Sequence, residues 1–225
     1  STPACSQPIT GSITITVNTA PVITTPTSFV VCDDSLNNDG IYCFDLHIKD
    51  NEITAGNTSL QVTYYETPTD AQTGYAVNVL PTPYCNINNN VPPVYVYVRV
   101  VDPNNPACFA TTQLLLVVNP LPIPNPVITD YELCDVNNPG DGFEFFHLHT
   151  KDTEIANGQT GVAVTYYDTQ AAAIAALPGT ELSNPHQNIP AWDQIVWFNI
   201  KNNTTGCSTT GSFHLIVNPL PVVPA

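Results

Sequence analysis

The sequence predicts an all-β protein: tandem immunoglobulin-like β-sandwich repeats of about 100 residues joined by Pro-rich linkers. Three observations carry this expectation. The chain repeats itself, its apolar residues alternate with period two, and its short apolar runs are separated by Pro, Gly, Asn and Asp.

The repeat is seen by shifting the 225-residue chain by 102 positions. Cys32-Asp33 then falls on Cys134-Asp135, Asp39-Gly40 on Asp141-Gly142, and Val62-Thr63-Tyr64-Tyr65 on Val164-Thr165-Tyr166-Tyr167. Between residues 32 and 67, 18 of 36 positions are identical, far beyond chance. The shift then drifts to 100 and 99, so that Val94–Val100 aligns with Gln194–Ile200 and Leu114–Pro122 with Phe213–Pro221. A third copy of the closing strand, Ile13-Thr-Ile15-Thr-Val17-Asn18, opens the chain. The division expected is therefore 1–20 as the last strand of a preceding repeat, 21–122 as the first full repeat and 123–225 as the second.

Taken in order, strands are expected over 11–18, 23–31, 41–48, 60–66, 94–100 and 112–118, with counterparts one repeat later. The pattern Val94-Tyr-Val96-Tyr-Val98-Arg-Val100 sends Val96, Val98 and Val100 inward and Tyr95, Tyr97 and Arg99 outward. Their partners follow suit, with Phe198 expected inside and Asn199 outside. Residues 169–177, rich in Ala, read as a short helical turn. The joint Asn119-Pro-Leu-Pro-Ile-Pro-Asn-Pro126 is a spacer stiffened by the fixed φ angles of proline.

Charge excludes several functions. Four Lys and Arg against nineteen Asp and Glu leave a formal charge of −15. A surface of that sign does not displace counterions from nucleic acid, nor does it settle on anionic lipid. No run reaches the ~18 apolar residues of a membrane span, so no direct membrane insertion is expected. Twenty-two Pro, no Met and only 10% charged residues give a polar, stiff, secreted profile.

Seven cysteines without a Cys-x-x-Cys motif point to disulfides in an oxidising exterior. Two pairing schemes satisfy the repeat. In the favoured one, Cys32 pairs with Cys108 and Cys134 with Cys207, one equivalent bridge per repeat, while Cys5 waits for an upstream partner. In the other, Cys5–Cys32 and Cys108–Cys134 clamp neighbouring repeats and Cys207 is left over. Cys43 and Cys85 lack counterparts in the second repeat and are expected to pair with each other. Each long-loop bridge is expected to stabilise by about 3–4 kcal/mol.

The ordered set Cys-Asp-x5-Asp-Gly, Phe-x-Leu-x-x-Lys-Asp-x-Glu-Ile, Val-Thr-Tyr-Tyr-(Glu/Asp)-Thr and Val-Asn-Pro-Leu-Pro resembles the repeats of very large cell-surface adhesins of Bacteroidota, including the flavobacterial gliding-motility adhesin. The resemblance covers nearly the whole chain. It implies export through the type IX secretion system and repeats that project a binding end from the cell.

Several residue groups are candidates for chemistry. Asp33, Asp34 and Asp39, with Asp135 and Asp141, offer hard oxygen ligands on turning loops, the donor type that Ca2+ selects. The simpler reading is a turn whose side chains bond local backbone. The recurring Lys49-Asp50-x-Glu52 and Lys151-Asp152-x-Glu154 invite a paired-carboxylate reading, against which stands a capped turn with a local ion pair. His47, His147 and His149 are expected on a solvated face, and His214 away from any partner. Tyr65, Tyr95, Tyr97 and Trp197, if all outward, form a shelf on which sugar rings stack; ordinary cross-strand pairs are the alternative. No Gly-x-Ser-x-Gly, His-Glu-x-x-His or glycine-rich phosphate loop is present.

The function expected is thus non-enzymatic: a structural and adhesive repeat segment of a large bacterial surface adhesin, extracellular or on the cell surface. Its expected partners are adjacent repeats of the same chain, surface polysaccharide or another protein, with no cofactor beyond candidate Ca2+. Two other classes compete: a self-assembling surface fibre subunit, and a carbohydrate-binding or spacer module of a secreted hydrolase.

Overall fold

The computed structural model describes residues 12–13, 17–87 and 91–222. Cys5 and residues 11 and 14–16 of the first expected strand lie outside them. The first repeat contains β1 (Phe29–Cys32), β2 (Cys43–Phe44), a 3-10 turn (Leu46–Lys49) running into α1 (Asp50–Ile53), β3 (Gln61–Tyr65), α2 (Pro68–Thr73), β4 (Tyr84–Cys85), β5 (Val94–Asp102) and β6 (Asn105–Asn119). The second contains β7 (Tyr131–Cys134), β8 (Phe145–Phe146), a 3-10 turn (Leu148–Lys151), α3 (Asp152–Ala156), β9 (Val162–Tyr167), α4 (Gln170–Ala175), β10 (His186–Gln187), β11 (Asp193–Asn202) and β12 (Ser208–Asn218).

Each repeat is an immunoglobulin-like β-sandwich. Its larger sheet has the order β1-β6-β5-β3 or β7-β12-β11-β9, and its smaller one is the pair β2-β4 or β8-β10. The opening strand of the second repeat runs parallel to the closing one, with Tyr131 opposite Leu215 and Cys134 opposite Asn218. Grouped by contacts, the described chain forms two compact units. One runs to Phe29 and takes Cys43–Tyr84 and Pro93–Leu116; the other takes Val30–Tyr42, Cys85–Pro92 and the chain from Val117 onward.

The period-two pattern is honoured where it is longest. Val96, Val98 and Val100 are fully buried, as are Val196, Phe198 and Ile200. In the second repeat they join Phe146, Leu148, Ile155, Val164, Tyr166, Phe213, Leu215 and Val217 in one core. Opposite each other on β11 and β12, Phe198 faces Gly211, whereas Val98 faces Thr112 in the first repeat. A Cβ on Gly211 would lie 2.4 Å from the Phe198 ring. The larger ring and the missing side chain therefore balance in volume, as close packing demands.

The strand expected over 23–31 begins only at Phe29, and two further expectations change. The strand over 41–48 stops at Phe44, because the Asp45 carboxylate accepts the His47 N–H and starts the 3-10 turn. Asn199, expected outside, is 1% exposed. The cause is α4, which roofs that face of the sheet: Asn199 Nδ2 donates to the Ala173 carbonyl at 3.0 Å. In the first repeat, α2 offers the carbonyl of Ala71 to Arg99 Nη1 at 3.0 Å, and the guanidinium rests on the Phe109 ring. The helix starts are alike. Thr67 and Thr169 accept the N–H of Asp70 and Ala172 as N-caps, and Pro68 occupies the first turn of α2.

Candidate functional site

The two short helices that follow β2 and β8 carry the recurrent Lys-Asp-x-Glu motif, and its carboxylates point different ways. Lys49 Nζ bonds Glu52 Oε2 and Thr27 Oγ1, both at 2.8 Å, while Glu52 Oε1 accepts the Thr27 N–H at 2.5 Å. The second repeat repeats this almost atom for atom: Lys151 bonds Glu154 Oε2 and Thr129 Oγ1 at 2.7 Å, and Glu154 Oε1 accepts the Thr129 N–H at 2.6 Å. The bond from Lys49 and then the N–H of Thr27 hold the Glu52 carboxyl at about 2. Burial works to raise the Glu154 carboxyl, but its bonds to Lys151 and Thr129 outweigh this and leave it below the ordinary value.

The Asp of the motif goes elsewhere. Asp50 Oδ1 accepts the Tyr64 hydroxyl at 2.7 Å and Oδ2 lies 2.8 Å from His47 Nδ1. Asp152 does the same with Tyr166, at 2.7 Å, and His149, at 3.0 Å. Burial, then the bond to Asp, pushes both tyrosine hydroxyls above their usual range. A Tyr that stays protonated at every physiological pH is an anchor for Asp and not a base. The motif is therefore a clasp. It pins Thr27 or Thr129, just upstream of β1 or β7, and so sets where Cys32 and Cys134 emerge.

The acidic loops are turns built by their carboxylates. Asp33 is buried; its Oδ1 accepts the Ser35 N–H and Oγ–H, and its Oδ2 the Gly40 N–H at 2.9 Å. Asp39 and Asp141 accept the N–H of Ile41 and Phe143, each at 2.9 Å, and Asp34 is exposed. Asp135 Oδ2 takes the Gly140 N–H at 2.5 Å, and its Oδ1 is buried without a partner. Among the described residues no three His, Cys, Asp or Glu side chains converge as metal ligands.

Sequence reasoning missed the residues that hold these loops down. Asn86 accepts the Tyr42 N–H at 2.7 Å and donates to the Gly40 carbonyl at 2.9 Å. Asn188 accepts the Glu144 N–H at 2.8 Å and donates to Gly142 and Pro190 carbonyls at 2.9 Å. Both are 1% exposed. Glu144, also buried, collects the N–H groups of Val136 and Asn137 together with the Asn137 side chain. An aligned Asn between apolar runs was the available signal.

The remaining candidates are reassigned. Tyr65 and Tyr167 are buried under α2 and α4, so Tyr65 does not join an outward shelf; Tyr95, Tyr97 and Trp197 are half-buried. His149 sits on a 3-10 turn, so it does not share a strand face with His147. His214 has a partner after all: its Nδ1 is 2.7 Å from Asp193 Oδ1, a bond that raises its pKa.

The cysteines depart most from expectation. Cys32 is bonded to Cys207, 175 residues away, with Cα atoms 5.6 Å apart. Cys108 and Cys134 are free, so the expected bridges Cys32–Cys108 and Cys134–Cys207 do not form. The reason lies in the strand directions. Cys134 is opposite Asn218, at the far end of the 11-residue β12, whereas Cys207 immediately precedes it. That separation is about 36 Å at 3.3 Å per residue, and a disulfide tolerates less than ~7 Å between Cα atoms. In the first repeat the Asp33 N–H likewise meets Asn119 O, at the other end of the strand from Cys108. Cys43 and Cys85, on the paired strands β2 and β4, are both disulfide-bonded.

The sequence matches the Flavobacterium inter-domain disulphide bond domain over residues 28–122 and again over 130–221. The chain belongs to this family. Cys32 lies in the first copy and Cys207 in the second, so the observed bond joins the two domains. No curated protein matches. Similar solved structures include immunoglobulin domains 1–4 of Sidekick-1 (10% identity, TM-score 0.30, 89% of this chain and 49% of that one). They also include BT4661 of Bacteroides thetaiotaomicron, a SusE-like surface located polysaccharide binding protein (12%, 0.28, 71% and 29%). A third is human mucin-like protocadherin EC1-2 (10%, 0.22, 89% and 98%). The chain spans about half the length of the Sidekick-1 fragment, and scores this low carry no functional inference. Disulfides persist in oxidising compartments, which makes this an extracellular or secreted protein. No helix among the described residues is long and apolar enough to cross a membrane.

Proposed function

We propose that the chain is a non-enzymatic structural and adhesive segment of a large bacterial cell-surface adhesin, exported by the type IX route and serving attachment or gliding. The observation that carries this is the covalent bond between consecutive domains, Cys32–Cys207. A catalytic site needs converging groups; a stalk needs domains that cannot come apart. The repeated clasps supply no nucleophile, and the carboxylates of each Lys-Asp-x-Glu motif are committed to separate structural partners. Residues 21–122 and 123–225 are taken as the two full repeats, with 1–20 closing a preceding one, and adjacent repeats are the first partners. Surface polysaccharide or another protein is the adhesive target.

The test is the size and location of the native product. Cells of the source organism are fractionated, blotted with an antibody to this segment, and treated intact with protease. A very large, protease-accessible surface species is expected. A small soluble product in the medium would overturn the adhesin reading in favour of an accessory module of a secreted hydrolase.

A further inference from the structure

We infer that the second repeat carries a glycan-binding hollow, in which Asp168, Asp193, Gln194 and His214 surround an apolar floor, and that it takes an amine-bearing sugar unit. The inference names a site and a ligand class for the adhesive reading and rests on it.

The hollow lies on the outer face of the larger sheet. Asp168 follows β9, Ile189 and Pro190 lie on the loop before β11, Asp193 and Ile195 begin β11, and His214 stands opposite Ile195 on β12. Its volume is about 490 Å³, inside the ~300–1,000 Å³ of small-ligand sites. Ile189 and Ile195 are both exposed and offer the apolar face of a sugar ring something to cover.

The polar groups around that floor are uncommitted. Asp168 is exposed and makes no side-chain hydrogen bond among the described residues. Asp193 Oδ1 lies 2.7 Å from His214 Nδ1, which leaves Oδ2 free. Gln194 is 5% exposed. Its Oε1 lies 3.1 Å from His186 Nε2 and accepts the Ile189 N–H at 3.0 Å, pinning the loop wall to the sheet. Its Nε2 has no partner among the described residues, and a donor on so buried a side chain needs an acceptor.

The first repeat closes the same place. Glu66, aligned with Asp168, accepts the Tyr84 hydroxyl at 3.1 Å. Pro93, Tyr95 and Leu115 stand where Asp193, Ile195 and His214 do. In the second repeat His186 replaces Tyr84 and turns to Gln194, which releases the Asp168 carboxylate.

Charge selects the ligand. Asp130 Oδ1 accepts the His214 N–H at 3.0 Å, so three carboxylates stand against one imidazole, and no Lys or Arg lines the hollow. The site stays anionic whether or not His214 is protonated. It repels acidic sugars and draws in an ammonium. A lysine side chain meets only part of this, because its ammonium offers donors alone. A hexosamine brings an ammonium and hydroxyl hydrogens to the two free carboxylates, a hydroxyl oxygen to the Gln194 amide, and a C–H face to Ile195.

The test titrates the isotope-labelled full chain with a glucosamine trisaccharide and follows amide chemical shifts. Saturable binding is expected, with shifts centred on Ile189, Ile195 and His214 and weakened by added salt. The N-acetylated trisaccharide and the Asp168→Asn variant should each weaken it about three- to fivefold, the range of an exposed ion pair. Asp168 holds nothing in the fold, so this variant should keep the melting temperature of the parent. Glu66→Gln, the aligned change in the first repeat, should leave affinity untouched. Equal affinity for the N-acetylated sugar, an equal response to lysine amide, shifts centred outside the hollow, or no saturable binding would each overturn the inference. None of these outcomes depends on where the parent protein resides, so failure here is distinguishable from failure of the surface reading.

Discussion

The two repeats place the same backbone in the same register and brace it with different chemistry. At the smaller sheet, the first repeat has Cys43 and Cys85, both disulfide-bonded, where the second has Phe145 opposite Gln187. Beside them, Tyr84 of the first repeat gives way to His186, whose Nε2 lies 3.1 Å from Gln194 Oε1 with both side chains buried. Under the roof helix, Arg99 is replaced by Asn199, and each reaches the carbonyl of the aligned alanine. In the core, Val98 with Thr112 is exchanged for Phe198 with Gly211. What does not change is the set of side chains that bond backbone: Asn86 and Asn188 on the acidic loop, Thr67 and Thr169 at the helix cap, and the Glu that holds Thr27 or Thr129. Volume and staple are negotiable because many solutions fill a space. An N–H at a fixed point accepts few substitutes.

The largest effect expected from breaking this comparison is at the staple. Cys43→Ser should cost the first repeat about 3–4 kcal/mol through lost loop restriction. Hydrogen exchange in β2 and β4 should rise while β8 and β10 stay protected. Equal loss in both repeats would mean that they do not fold as separate units. Next, Asn188→Ala strands buried backbone groups and should cost about 3 kcal/mol, with Asn86→Ala close behind; urea melts of each variant measure this. A cost under ~0.5 kcal/mol would show that water replaces the amide.

A smaller change sharpens the core exchange. Gly211→Thr, which imitates the first repeat, should overpack against Phe198 and cost about 1–3 kcal/mol. Adding Phe198→Val should recover part of that loss, and a double-mutant cycle without coupling would refute the volume trade. The clasp has a pH signature. Glu52 has its folded pKa depressed to about 2 from 4.5, so its contribution is present above the unfolded value and fades as pH falls from about 4.5 towards 2. Glu52→Gln should therefore destabilise at pH 7 and match the parent near pH 2 in acid melts. The smallest effect is at the acidic loops. With Asp33, Asp39 and Asp141 accepting local backbone N–H groups, neither Ca2+ nor EDTA should move the melting temperature. A rise in Ca2+ would instead make these loops cation sites.

Much of this was legible in the residues. Alternation along 94–100 predicted the buried faces because period two is a direct consequence of the pleat. Asn199 broke the pattern because the short helices roof the other face of the sheet, and alternation carries no information about a roof. The cysteine pairing was illegible for a different reason. A bridge within a repeat and a bridge to the next repeat have the same periodicity, so spacing cannot separate them. Only the parallel run of β7 beside β12 decides, by placing Cys134 and Cys207 at opposite ends. The proline spacer suggested independent domains, yet stiffness in a linker does not preclude a bond across it.

The bond from Cys32 to Cys207 also determines how the molecule carries load. When it is pulled from points outside these two residues, tension passes through the sulfur atoms and skips the 175-residue span between them. At ~3.4 Å per residue, roughly 600 Å of contour length is withheld from extension while the bond stands. β12 lies outside that slack loop, whereas β2 to β11 and the proline joint lie inside it. Under force the enclosed elements can loosen locally, but they cannot be drawn out into a thread. Reduction of a single disulfide would convert a short, nearly inextensible tether into a long, unravelling one.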